Sequence, residues 1–270
     1  MNCQGLYAER IVCLTEETTE TLYALGEEDR IVGISGFTVR PPRARREKPR
    51  VSAFTSAKIE KIMALTPDLV LGFSDLQADI ARELIANGVD VYVFNHRSVA
   101  GILGMILKLG GLIGCQDKAQ ALADTLCAGL DKIRERAVAL PARPRVYFEE
   151  WDDPHISCIK WVSELVGIAG GDDIFPELAQ HSLGRDRIIA DSHEIVRRQP
   201  DIIIGSWCGK KFRAERVRER AGWQDVPAVR DDELHEVKSS IILQPGPAAL
   251  TDGVASLHGI IAGWAARQSA

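Results

Sequence analysis

KIEKIMALTPDLVLGFSD (Lys58–Asp75) is the stretch on which the fold turns, because SHEIVRRQPDIIIGSWC (Ser192–Cys208) repeats its pattern. Each is an amphipathic helix, a Pro-Asp turn, a short apolar run and then Gly. The pairs Pro67/Pro200, Asp68/Asp201 and Gly72/Gly205 share one offset of 133 residues. Upstream, TLYALGEEDRI (Thr21–Ile31) is echoed with one gap by LVGIAGGDDI (Leu165–Ile174). Each echo follows an apolar strand candidate, Arg10–Leu14 and Arg145–Phe148. Any α/β chain repeats helix, turn and strand; the order and spacing of four matched elements argue for a true internal repeat.

Between the halves stands DKAQALADTLCAGLDKIRERAVAL (Asp117–Leu140). Leu122, Leu126, Leu130, Ile133, Ala137 and Leu140 fall at steps of three and four, so one stripe of a helix is apolar. Pro141 and Pro144 stop it. The expected organisation is an N-terminal lobe (1–116), a linking helix (117–140) and a C-terminal lobe (141–270).

Helices follow strands throughout, which predicts an α/β fold with mainly parallel sheets. In such sheets ligands meet the loops at the carboxyl ends of the strands. In the first half those loops are Ser35–Pro41, Phe73–Gln77 and Asn95–Val99. In the second they are EEWDDPHISCIKW (Glu149–Trp161) and SWCGKKFR (Ser206–Arg213). Ser35–Phe54, with three prolines and six basic residues, reads as a surface loop without regular structure. Ser192 is the expected cap of the helix that follows it. Val237–Leu243 reads as containing a strand.

A chain of 270 residues can bury a sizeable core. A net charge of −5 gives no support for nucleic acid or an anionic membrane as partner. No apolar run approaches the roughly 18 residues of a bilayer span. The opening MNCQGLYAERIVCLTEE lacks the basic, apolar and small-residue segments of a signal peptide. As the sequence stands this predicts a cytoplasmic location. The six cysteines (Cys3, Cys13, Cys115, Cys127, Cys158 and Cys208) contain no CxxC pair and read as free thiols. No GxGxxG, P-loop, GxSxG or HExxH occurs, so no catalytic set is offered.

TEETTETLYALGEEDRIVGIS, KIEKIMALTPDLVLG, RELIANGVDVYVF, the linking helix, GGDDIF and RRQPDIIIG, in that order, resemble the helical-backbone substrate-binding proteins of ABC importers for cobalamin, siderophore-bound iron and haem. The resemblance covers nearly the whole chain. EEWDDPHISCIKWVSELV and GSWCGKKF look most similar to the cobalamin-binding branch. The resemblance implies two Rossmann-like lobes, a rigid helix between them, and one ligand in the cleft. It implies no covalent cofactor, no catalysis, a monomer, cobalamin or a related corrinoid as ligand, and a periplasmic location if the true start lies upstream. Two features depart from the family: the missing signal peptide, and a basic stretch GKKFRAERVRER (Gly209–Arg220) where transport members present an acidic residue to the permease. Both put an ABC permease partner in question.

Candidate ligand-binding residues follow from the expected loops. Phe37, Phe73, Trp151, Trp161 and Trp207 offer aromatic walls for a flat macrocycle; the competing reading is lobe core, most evenly balanced for Trp161, which begins a helix. Arg40, Lys210 and Lys211 suit a phosphate or carboxylate, or else form a solvated basic face. His96 and His155 are polar contacts or metal ligands. A siderophore-iron or haem protein of the same fold is the first rival. A cytosolic cofactor-processing enzyme or chaperone using Cys158 or His155 is the second.

Overall fold

The computed structural model describes residues 6–268. The chain divides into two compact units. One comprises the residues to His96 with Ala100–Thr125, the other Arg97–Val99 with Leu126–Ala270.

The first unit runs β1 (Ile11–Cys13), α1 (Glu16–Ala24), β2 (Ile31–Ser35), α2 (Ala44–Glu47), β3 (Arg50–Ser52), α3 (Ile59–Met63), β4 (Leu69–Phe73), α4 (Ala78–Ala86), β5 (Asp90–Phe94) and α5 (Val99–Leu112), the last beginning in the other unit's short segment. Its sheet has the order β3-β2-β1-β4-β5, and every pairing is parallel. Val12 and Val70 from the strands, and Leu14 just after β1, pack with Ile62, Ile80 and Leu84 from α3 and α4. α6 (Gln116–Val138) is the long helix, and the division between the units falls inside it. Gly110 of α5 lets α6 approach closely: a Cβ there would lie 2.2 Å from the Cβ of Ala119.

The second unit runs β6 (Arg145–Asp152), β7 (His155–Ser157), α7 (Lys160–Ala169), β8 (Asp172–Asp173), α8 (His193–Arg198), β9 (Ile202–Gly205), α9 (Ala214–Arg218), α10 (Pro227–Arg230), β10 (Leu234–Glu236), α11 (Ser239–Ile242) and α12 (Val254–Arg267). Its sheet has the order β10-β9-β6-β7, with β8 also paired to β6. Only the β6–β7 pairing is antiparallel.

The repeat is visible in these topologies. β5-β4-β1-β2 corresponds to β10-β9-β6-β8, so Leu69–Phe73 and Ile202–Gly205 each flank the first strand of their unit. The Pro-Asp turns do the same work twice. Asp68 accepts the N–H groups of Glu9 (2.7 Å) and Arg10 (2.9 Å) ahead of β1. Asp201 accepts the N–H of Arg145 (2.8 Å) at the start of β6.

Four local expectations are corrected. Ser35–Phe54 is not wholly irregular: it holds α2 and the edge strand β3, whose single buried residue, Val51, gives too weak a pattern to read. Glu149–Trp161 is a hairpin rather than a loop, because β6 continues to Asp152 and returns as β7. Ser192 stands at the cap position of α8, but its side chain makes no capping bond; Asp191 accepts the His193 N–H instead, at 2.9 Å. Val237–Leu243 contains no strand; β10 precedes it and α11 occupies Ser239–Ile242. No helix among the described residues is long and apolar enough to cross a membrane.

Candidate functional site

The β6–β7 hairpin and the loop after β9 meet within the second unit through charge. A bulge lies between Glu149 and Trp151. One extra residue offsets the usual alternation of side chains. Glu149 and Asp152 therefore both reach the segment Trp207–Arg220, while Glu150 turns to Arg187.

Glu149 is fully buried. It accepts the Trp207 indole N–H at 2.9 Å and two Arg220 N–H bonds at 2.7 and 2.8 Å. His155 Nδ1 lies 3.4 Å from the same carboxylate, a contact whose alignment falls short of a hydrogen bond. Burial would push Glu149 upward; the His155 and Arg220 contacts outweigh it and hold the carboxyl below the usual range. Asp152, also buried, pairs with Lys210 and, at 2.9 Å, with Arg216. The Lys210 ammonium sits 4.1 Å from the Trp151 ring centroid and 5.2 Å from that of Trp207.

Trp207 is 3% exposed and packs edge-on to Phe212, centroids 5.0 Å apart. Gly205 makes room for this, since a Cβ there would lie 1.9 Å from the Phe212 ring. Trp207 is thus a core residue that also borders a hollow of about 290 Å³. Gly209, Lys210, Lys211, Glu236, Val237, Lys238, Ser239 and Ser240 complete its lining.

The other expected site residues divide as follows. Trp151 is half-buried, its indole N–H given to the Asp153 carbonyl at 2.8 Å. His155 is partly exposed, its ring 5.7 Å from that of Trp223. Trp161 is core: it faces inward from α7 and donates to the Ile242 carbonyl at 2.8 Å. In the first unit, Phe73 ends β4, buried, with His96 edge-on at 5.2 Å. Arg40 pairs with Glu20 at 2.9 Å. Phe37 stands 57% exposed after β2.

Two readings change. The stretch Gly209–Arg220 is not a bare basic face, because Arg216, Arg218 and Arg220 pair with Asp152, Asp232 and Glu149. Cys158 is fully buried, 3.5 Å from Asp173. Burial, reinforced by the negative charges of Asp173 and Glu150, drives its thiol well above its ordinary value. Its complete burial and the raised thiol both favour the neutral, sheltered form, which argues against a nucleophile. Cys3 lies outside the described residues. No cluster of three or more His, Cys, Asp or Glu suited to a metal ion occurs among them.

Glu149, Arg220, Glu236 and Lys238 were missed in the sequence. The available signal was the acid-rich EEWDD beside a later arginine-rich run, two complementary charge patterns some 60 residues apart in the chain.

A family model described as periplasmic binding protein matches residues 11–240. An ABC transporter substrate-binding lipoprotein of Bacillus subtilis is 26% identical over 263 residues, covering 92% of this chain and 78% of the relative. A vitamin B12-binding protein of Vibrio parahaemolyticus is 26% identical over 256 residues, covering 90% and 86%. Among solved structures, a periplasmic heme binding protein from Pseudomonas aeruginosa superposes with a TM-score of 0.81 at 20% identity, covering 95% of this chain and 93% of that one.

Proposed function

Because the chain belongs to the periplasmic binding protein family, we propose that it binds a metal-containing macrocycle, with a corrinoid such as cobalamin as the first choice, and delivers it unchanged. The observation that carries this is the Trp151–Lys210–Trp207 frame beside a hollow at the carboxyl end of β9, where doubly wound sheets receive ligands. The Trp207 indole gives the hollow an aromatic edge, and the flanking polar groups suit the amide periphery of such a ring. In the second unit the ligand-binding residues of this reading are Trp151, His155, Trp207 and Lys211, with Lys210 holding the frame. The vitamin B12-binding relative supports the corrinoid. The lipoprotein relative supports a role in uptake with an ABC permease as partner.

A second reading is haem or an iron chelate. The observation favouring it is the lysine-rich rim of Lys210, Lys211 and Lys238, which suits carboxylates. Absorbance titration of the purified protein with cobalamin and with haem separates the two. Saturable corrinoid binding with unaltered ligand recovered on unfolding supports the first reading. Saturable binding of haem alone supports the second.

A further inference from the structure

The hollow beside Trp207 carries a charge arrangement that a neutral ring does not require. Its three ammonium groups differ in what they already hold. Lys210 is committed to the buried Asp152, which it shares with Arg216, and its head lies over the Trp151 ring. Lys238 lies 3.3 Å from Glu236, whose other oxygen accepts the Phe212 N–H at 3.2 Å. Lys211 is exposed and forms no ion pair among the described residues. The lining thus holds three lysines against one carboxylate, Glu236, with the hydroxyl side chains of Ser239 and Ser240 also in it.

We propose that this hollow is a subsite for an anionic arm of the ligand, a phosphate or a carboxylate, and that Lys211 reads its charge. Lys210 is instead a structural cation that fixes the hairpin and the two indoles. A point charge on a flexible stem suits a phosphate or carboxylate that approaches from solvent. Lys238 turns from Glu236 to assist. This rests on the macrocycle reading above and deepens it. In a corrinoid the arm is the nucleotide phosphate; in haem it is a propionate.

The test compares charged and uncharged partners of the same ring: cobalamin with cobinamide, which lacks the nucleotide phosphate, and haem with its dimethyl ester. In Lys211→Ala the affinity ratio of charged to uncharged ligand should fall about threefold, and in Lys211→Glu about tenfold, with Lys211→Arg restoring most of it. The effect should shrink with added salt. The pair that responds identifies the source of the anion. Equal weakening of both members of each pair overturns the proposal. If the wild-type protein binds none of the four rings, the macrocycle reading fails by itself, and inorganic pyrophosphate judges the subsite. It should protect Lys211 from amine acylation, read by mass spectrometry, more than it protects Lys132 on α6. Equal protection of the two lysines overturns the subsite.

Discussion

The indole N–H of Trp207 ends on the buried carboxylate of Glu149, 2.9 Å away, and Arg220 closes the other side of that carboxylate with two hydrogen bonds. The loop after β9 is therefore fixed from inside the second unit. Trp207→Ala should cost about 3–5 kcal/mol of stability, as expected for a large buried aromatic. Binding losses in that variant would mix with unfolding. Trp207→Phe keeps a ring and loses the N–H, and is the variant to titrate.

Glu149→Gln should destabilise by about 3–5 kcal/mol near neutral pH, because Arg220 is left with a neutral partner in a buried place. The sign with pH follows from the depressed carboxyl. Its contribution is present above the unfolded value near 4.5 and is lost as pH falls through the lower folded value. Urea midpoints of wild type and variant should converge below pH 4.5. A constant difference across that range would contradict the assignment.

Glu17, on the first turn of α1, behaves oppositely. Burial first, with the charges of Glu16 and Glu20 adding, pushes it up to about 8 against the Thr15 hydrogen bond. Its contribution is fully present below the unfolded value near 4.5 and is lost as pH rises through 8. The loss is of the order of a few kcal/mol. Glu17→Gln should raise the melting temperature at pH 8 and leave it nearly unchanged at pH 4.5. Equal shifts at both values would refute a neutral buried Glu17.

Thiol labelling gives an independent check on the core. Cys13 and Cys158 are buried, and burial drives Cys13 to about 12 and Cys158 well above its ordinary value. Cys208 is exposed. In a Cys3→Ser background, a disulfide reagent should modify Cys208 rapidly and reach Cys13 and Cys158 only on unfolding. Rapid native-state labelling of Cys158 would reopen the reading of it as a reactive group.

Asp68 and Asp201 make the repeat testable as energetics. Each carboxylate accepts backbone N–H at the start of its unit's first strand. Asp68→Ala and Asp201→Ala should each cost about 1–2 kcal/mol, and the double variant should show the sum, since the sites lie in separate units. Strong non-additivity by urea denaturation would show that the two turns are coupled.

Those same aspartates explain why so much of the architecture was legible. A Pro-Asp turn ahead of an apolar run constrains its neighbourhood locally, so the 133-residue offset carried the strand correspondence directly. The long helix was equally plain, Gln116–Val138 against the expected 117–140. The site was not so plain. β6 runs on through Glu149, Glu150 and Asp152, residues that discourage a strand reading, because each charge is answered by a basic residue 37 to 71 positions later. Pairing over such distances leaves no local period. For the same reason Lys210 and Lys211, adjacent and chemically identical in the sequence, could not be told apart before Asp152 was seen to hold one of them.

Calorimetric titration of the wild-type protein with cobalamin, beside the same titration with haem, tests the central claim most directly. The account predicts saturable binding of one equivalent of cobalamin, with Trp207→Phe weakening it by about three- to tenfold through loosening of the loop that Glu149 holds. Absence of cobalamin binding by folded wild-type protein would contradict it.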